Sequence, residues 1–181
     1  MVYPKDICAE ILYDAKTISK RAHELGRTIN NDYKDKNLVL VCTLRGAVPF
    51  FVELLKFIEI ECQTEYIKAS SYIGNTTESS GNVKVNTLTD FNVENKDVLI
   101  IEDIVDTGNT YASLINYFKE KKCASVEMCT MLNKPSRREV DVEPKYSGFT
   151  IPNKFVIGFG LDYNEKYRNL PYIGVINPKY I

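Results

Sequence analysis

The chain has 181 residues, 44% apolar and 26% charged, the mix of one soluble globular domain rather than a disordered chain. Its 23 Lys and Arg against 24 Asp and Glu leave a formal charge of −1, so no bulk field draws it to nucleic acid or to an anionic membrane. The single histidine, His23, excludes a histidine-rich zinc site, and five cysteines without a C-x-x-C pair read mostly as small buried hydrophobes of a reducing compartment.

The segment Met1 to Glu10 carries Pro4, Lys5, Asp6 and Glu10, which no secretory h-region tolerates. Glu53 and Glu102 interrupt the longest apolar stretches well short of the roughly 20 residues of a membrane span. A cytoplasmic protein is expected. Ile7, Ile11, Ala15, Ile18, Ala22 and Leu25 recur at helical spacing and predict a first helix, with Asp6 as N-cap and Gly26 as its stop. His23 falls on the polar side of that helix. The continuous apolar run Leu38 to Leu44 predicts a strand buried on both faces, ending at Arg45-Gly46. Pro49 then opens a helix whose apolar side holds Phe51, Leu54, Leu55 and Ile58.

Further strands are expected through Ile67–Tyr72 and around Val83–Val85. Between them lies a polar, glycine-bounded segment, Gly74 to Gly81, which cannot bury apolar area and reads as a loop. Val98–Ile101 predicts a second buried strand, followed by a helix with Leu114, Ile115 and Phe118 on one side. Val126–Leu132, Phe155–Leu161 and Tyr172–Ile176 complete the strands. Strands alternating with helices imply βαβ units in a mostly parallel sheet, whose ligands bind at the carboxyl ends of the strands where the winding reverses. Residues 1–181 form one domain.

Chemistry concentrates in Glu102 to Thr110. Asp106-Thr107-Gly108-Asn109-Thr110 offers successive backbone N–H groups, two hydroxyls and a glycine at the start of a helix, a cradle for a phosphate monoester. It matches neither G-x-x-x-x-G-K-[ST] nor G-x-G-x-x-G. Glu102 and Asp103, read as ending the strand, suit a vicinal diol or a divalent cation, and Asp106 suits a proton acceptor. Helix capping accounts for Asp106 alone; it leaves the two acids before it unexplained. Arg137 and Arg138 could reach a phosphate, but a pair of surface arginines is the plainer reading.

The run Ile100 to Thr110, a hydrophobic strand, two acids, two apolar residues and then D-T-G-x-T, resembles the phosphoribosyl-diphosphate signature of the type I phosphoribosyltransferases. Leu44–Ala47, Ser71-Tyr72, Leu132–Pro135 and Lys154–Glu165 running on to Arg168 resemble their hypoxanthine-guanine branch, in the same order. The resemblance implies a parallel twisted sheet flanked by helices, with a small hood of terminal segments. It implies transfer of a phosphoribosyl group to a 6-oxopurine such as hypoxanthine or guanine, with Mg²⁺ as cofactor, in a homo-oligomer, a dimer or tetramer.

The same resemblance implies roles by position. Glu102 and Asp103 would hold the ribose diol and magnesium, and Asp106 would take the proton of the purine imidazole. Thr107, Gly108, Asn109 and Thr110 would hold the 5′-phosphate. Arg45 and Gly46 would bind diphosphate through a backbone turn, in this family often cis, helped by Arg168. Lys134 would donate to the 6-oxo group, Phe155 would stack on the ring and the backbone of Val156 would read the base edge. Asp162 would lie at the purine site and help hold a second magnesium. Ser71 and Tyr72 would lead a lid of about residues 71–85. Arg45 and Asn109 stand where eukaryotic members carry Lys and a basic residue. A receiver-like signalling domain would place its acid pair after the first strand; a regulatory nucleotide-binding protein would lack a reason for Lys134 and Phe155.

Overall fold

Leu38–Thr43 (β2) is buried at every residue, and a strand with both faces apolar must be covered on both sides. The computed structural model, which describes residue 4 and residues 6–71 and 83–181, places that strand inside a six-stranded sheet. Its parallel neighbours are Cys62–Ser71 (β3) on one side and Asp97–Val105 (β5) on the other. Ser125–Asn133 (β6) and Tyr146–Thr150 (β7) extend the sheet in parallel beyond β5, and Val83–Thr87 (β4) runs antiparallel on the edge beside β3.

The alternation of side chains along the strands sorts the core into two layers. Leu38, Leu40, Leu99 and Ile101 pack with the helices Ala15–Asp32 (α1) and Val48–Leu55 (α2). Val39, Val41, Val98 and Ile100 pack with the helix Asn109–Glu120 (α3), which buries Tyr111, Leu114 and Phe118. A second, antiparallel sheet joins Cys8–Tyr13 (β1) to Ile173–Ile176 (β9) and then Val156–Ile157 (β8), so the hood is built from both ends of the chain. No helix among the described residues is long and apolar enough to cross a membrane.

Three expectations are corrected here. Residues 8–13 form a strand, because their backbone pairs with β9, and the helix begins only after Asp14, whose carboxylate accepts a hydrogen bond from Thr17 N at 2.8 Å. Gly26 does not stop that helix: it sits inside it, where a Cβ would stand 2.7 Å from Phe57 Cβ, so packing requires its missing side chain. Of the strand predicted for Phe155–Leu161, only β8 forms, and it belongs to the hood; Gly158, Phe159 and Gly160 all have positive φ and turn the chain away. The parallel strand at that edge of the main sheet is β7, whose sequence YSGFT carries only a weak apolar signal.

The chain passes from β2 through α2 to β3 on one side, then returns to lay β5 on the other side of β2. The winding therefore reverses between the carboxyl ends of β2 and β5, where a crevice opens in such sheets.

Candidate active site

The strand β5 outruns β2. Its pairing with β2 ends at Cys42 opposite Ile101, whereas its pairing with β6 continues through Glu102–Thr130 to Val105–Asn133. Glu102 and Asp103 thus lie within the strand, not at its end as the sequence suggested, on the stretch that β2 leaves unpaired. The chain leaving β2 turns there through a cis peptide between Leu44 and Arg45. A Cβ on Gly46 would stand 1.7 Å from Asp103 Oδ2, so only glycine lets this turn and the acid share the space. Asp103 Oδ1 accepts from Ile104 N at 2.9 Å, and Glu102 Oε1 accepts from Asp103 N at 3.1 Å. Burial, reinforced by the neighbouring Asp103 carboxylate, pushes the Glu102 pKa well up from its ordinary value.

Beyond β5 the chain bends at Gly108, whose φ of 89° suits glycine, and enters α3. A cleft lies over this loop, lined by Glu102, Ile104 to Gly108, Thr110, Tyr111 and Met128. Asp106 projects from it, 3.2 Å from Arg137 Nε. Asn109 does not turn toward the loop's interior; its Nδ2 donates to Glu139 Oε2 at 2.9 Å. Lys134 follows β6 and is buried, and its backbone N donates to Val105 O at 3.0 Å. Burial lowers the pKa of its amine, with the Asp106 charge opposing that shift.

The hood supplies the remaining positions. Phe155 is 50% exposed, and its ring meets Tyr163 edge-on with centroids 5.6 Å apart. Val156 is buried and opposite Val175 in the hood sheet. Asp162 Oδ1 pairs with Arg168 Nη2 at 2.8 Å, and its Oδ2 accepts from Glu165 N at 2.9 Å. Arg168 Nη1 donates to Gly160 O at 2.8 Å. The hood reaches the sheet directly: Glu165 pairs with Arg45 at 2.5 Å, and Gly160 lies so close that a Cβ there would stand 1.9 Å from Gly46 O.

The fold therefore brings Glu102, Asp103, Asp106 to Thr110, Lys134 and Gly46 to one end of the sheet, with the Arg45 and Arg168 side chains linked through Glu165 beside it. Asp162 is not gathered with Glu102 and Asp103 into a three-carboxylate group among the described residues. Ser71 ends β3, opposite Val83; Tyr72 and most of the expected lid lie outside the described residues. For Arg138 the surface reading is corrected. Instead of standing on the surface, its side chain is 12% exposed and donates from Nη1 to Val105 O at 3.2 Å and Asp106 O at 2.6 Å.

Comparison with known proteins agrees with this geometry. The phosphoribosyl transferase domain family matches residues 9–164. A hypoxanthine-guanine phosphoribosyltransferase of Streptococcus thermophilus is 48% identical over 95% of this chain and 94% of its own. One from Bacillus subtilis is 43% identical over 93% of each. The crystal structure of a hypoxanthine phosphoribosyltransferase from Staphylococcus aureus, 43% identical, superposes with a TM-score of 0.89 over 97% of this chain and 95% of that one. The chain belongs to the phosphoribosyltransferase family, in its hypoxanthine-guanine branch.

Proposed function

We infer that this chain is a purine salvage pentosyltransferase. It moves the 5-phosphoribosyl group from phosphoribosyl diphosphate to hypoxanthine or guanine and releases diphosphate with the nucleoside monophosphate. The observation that carries the reading is that Glu102 shares one cleft with the phosphate-type loop from Asp106 to Thr110, while its neighbour Asp103 lies against the turn at Gly46. Two acids beside an anion cradle make electrostatic sense when the ligand is a sugar phosphate, hydroxyls on one side and phosphate on the other.

In this reading the backbone of Thr107 to Thr110, at the N-terminus of α3, holds the 5′-phosphate, and Glu102 and Asp103 accept hydrogen bonds from the ribose diol. Lys134 donates to the purine 6-oxo group, the exposed face of Phe155 stacks on the ring, and the backbone at Val156 reads the base edge. As the bond from the purine nitrogen to the anomeric carbon forms, the carbon–oxygen bond to diphosphate breaks, and Asp106 takes the proton of the imidazole nitrogen. The turn at Arg45 and Gly46, with Arg168, stabilises the charge growing on the departing diphosphate. A polar lid led by Ser71 and Tyr72 would exclude water from the cation-like carbon.

Glu102 and Asp103 fit magnesium. They are hard oxygen donors, and two carboxylates completed by substrate oxygens are how this ion is commonly held. Magnesium held there would supply positive charge to offset the negative charge that grows on the departing diphosphate. Asp162 would serve a second ion only by sharing oxygens already engaged by Arg168 and the Glu165 amide. A dimer or tetramer and a cytoplasmic setting belong to the same proposal. The five cysteines, all unpaired, support a reducing compartment.

The test is nucleotide formation from phosphoribosyl diphosphate with hypoxanthine, guanine and xanthine, with and without magnesium. Magnesium-dependent product from hypoxanthine or guanine is expected. No product from any of the three purines overturns the assignment.

A further inference from the structure

Three consecutive carbonyls of the phosphate loop point the same way. Val105 O accepts from Lys134 N and Arg138 Nη1, Asp106 O from Arg138 Nη1, and Thr107 O from Glu139 N at 2.9 Å. In a planar trans peptide the N–H lies opposite its carbonyl. The amides of Asp106, Thr107 and Gly108 are therefore turned away from the 134–139 segment. We propose that Arg138 is a positioning residue: by holding the carbonyls of Val105 and Asp106 it aims the loop's amides at the 5′-phosphate. This rests on the phosphoribosyl reading of the loop given above.

The surroundings of Arg138 suit that task. Its Nη2 reaches the buried Asn133 Oδ1 and lies 3.7 Å from Glu143, which in turn accepts from Asn133 Nδ2 at 2.6 Å. The guanidinium is thus anchored on the carboxyl end of β6, a rigid support for a loop that belongs to β5. Its Nε is buried without a partner among the described residues. Leaving a buried donor unmade is costly, so this orientation is one that favours the loop carbonyls over full satisfaction of the arginine itself. Gly108 completes the fit: a Cβ there would stand 2.9 Å from Arg138 Cδ and 2.6 Å from Val142. The shared acceptor Val105 O also ties the lysine assigned to the purine and the arginine that aims the phosphate amides to one peptide group.

The discriminating measurement compares inosine monophosphate with inosine, which differ only in the phosphate, on the wild type, Arg138→Met and Arg138→Lys. Arg138→Met is expected to lose about tenfold or more in affinity for the nucleotide, the scale of one or two charge-assisted hydrogen bonds, with inosine affinity unchanged. KM for phosphoribosyl diphosphate should rise by a similar factor while kcat moves less than about threefold. Arg138→Lys keeps the cation and one donor to the carbonyls, so it should recover part of the loss; it also carries the comparison if the methionine variant does not fold. Equal losses for nucleotide and nucleoside, or no loss for either, would overturn the role of Arg138. A wild type that binds the nucleotide no tighter than the nucleoside would instead overturn the phosphate reading of the loop.

Discussion

Asp106 sits on the bend that β5 makes into α3, with its carboxylate paired to an exposed Arg137 rather than buried. So exposed an acid is replaceable in the fold, whereas the proposed role as the base makes it irreplaceable in the chemistry. Asp106→Ala is expected to cut kcat by about 10²–10⁴-fold while leaving affinity for phosphoribosyl diphosphate largely intact, as measured by steady-state turnover and ligand titration. Near-normal turnover would remove Asp106 as the base. Asp103 differs, since its oxygen fills the space over Gly46. Asp103→Asn keeps that shape and removes the charge, so affinity for the same substrate should fall about tenfold in the presence of magnesium. Equal affinity in wild type and variant would contradict the diol and metal role.

Elements decide what these residues face. The overrun of β5 past β2 exposes the two acids to the turn at Gly46, and Gly46→Ala would force that turn off Asp103. A displacement of about an ångström at a binding turn costs up to about 100-fold in kcat/KM, and steady-state kinetics of Gly46→Ala should show a loss of that order. Asp14 caps α1, and the Thr17 hydrogen bonds hold its carboxyl below the ordinary value of 3.8. The sign follows: the folded state binds fewer protons there, so the cap's stability is fully present above the ordinary value and lost as pH falls through the lower folded one. Melting temperatures of wild type and Asp14→Ala should therefore converge as the pH is lowered below the ordinary 3.8; parallel curves would show that the cap does not titrate.

Much of this scale was legible in the residues. The unbroken apolar runs at Leu38–Leu44 and Val98–Ile101 announced strands covered on both faces, and D-T-G-N-T at a helix start announced the loop. What stayed hidden depends on partners distant in the chain. Cys8–Tyr13 carries apolar residues at helical spacing, yet pairing with β9 makes it a strand. Gly26 reads as a stop until Phe57 is seen against it, and Arg138 reads as a surface cation until the loop carbonyls are seen beneath it.

For the whole molecule, the two sheets are held by different means. The main sheet has two apolar layers containing most of the large buried side chains, whereas the hood core of Ile7, Ile157, Leu170 and Ile176 is small. Hydrogen exchange should accordingly find the amides of β2 and β5 the most protected and those of β1 and β9 opening at lower free energy; uniform protection would contradict this division. The register of β1, with Cys8 opposite Ile176, adds a consequence for biosynthesis. A segment synthesised before the main sheet must wait for a mate synthesised after it, its edge unpaired in the interval. The hood is therefore completed only after the strands of the scaffold beneath it have been made.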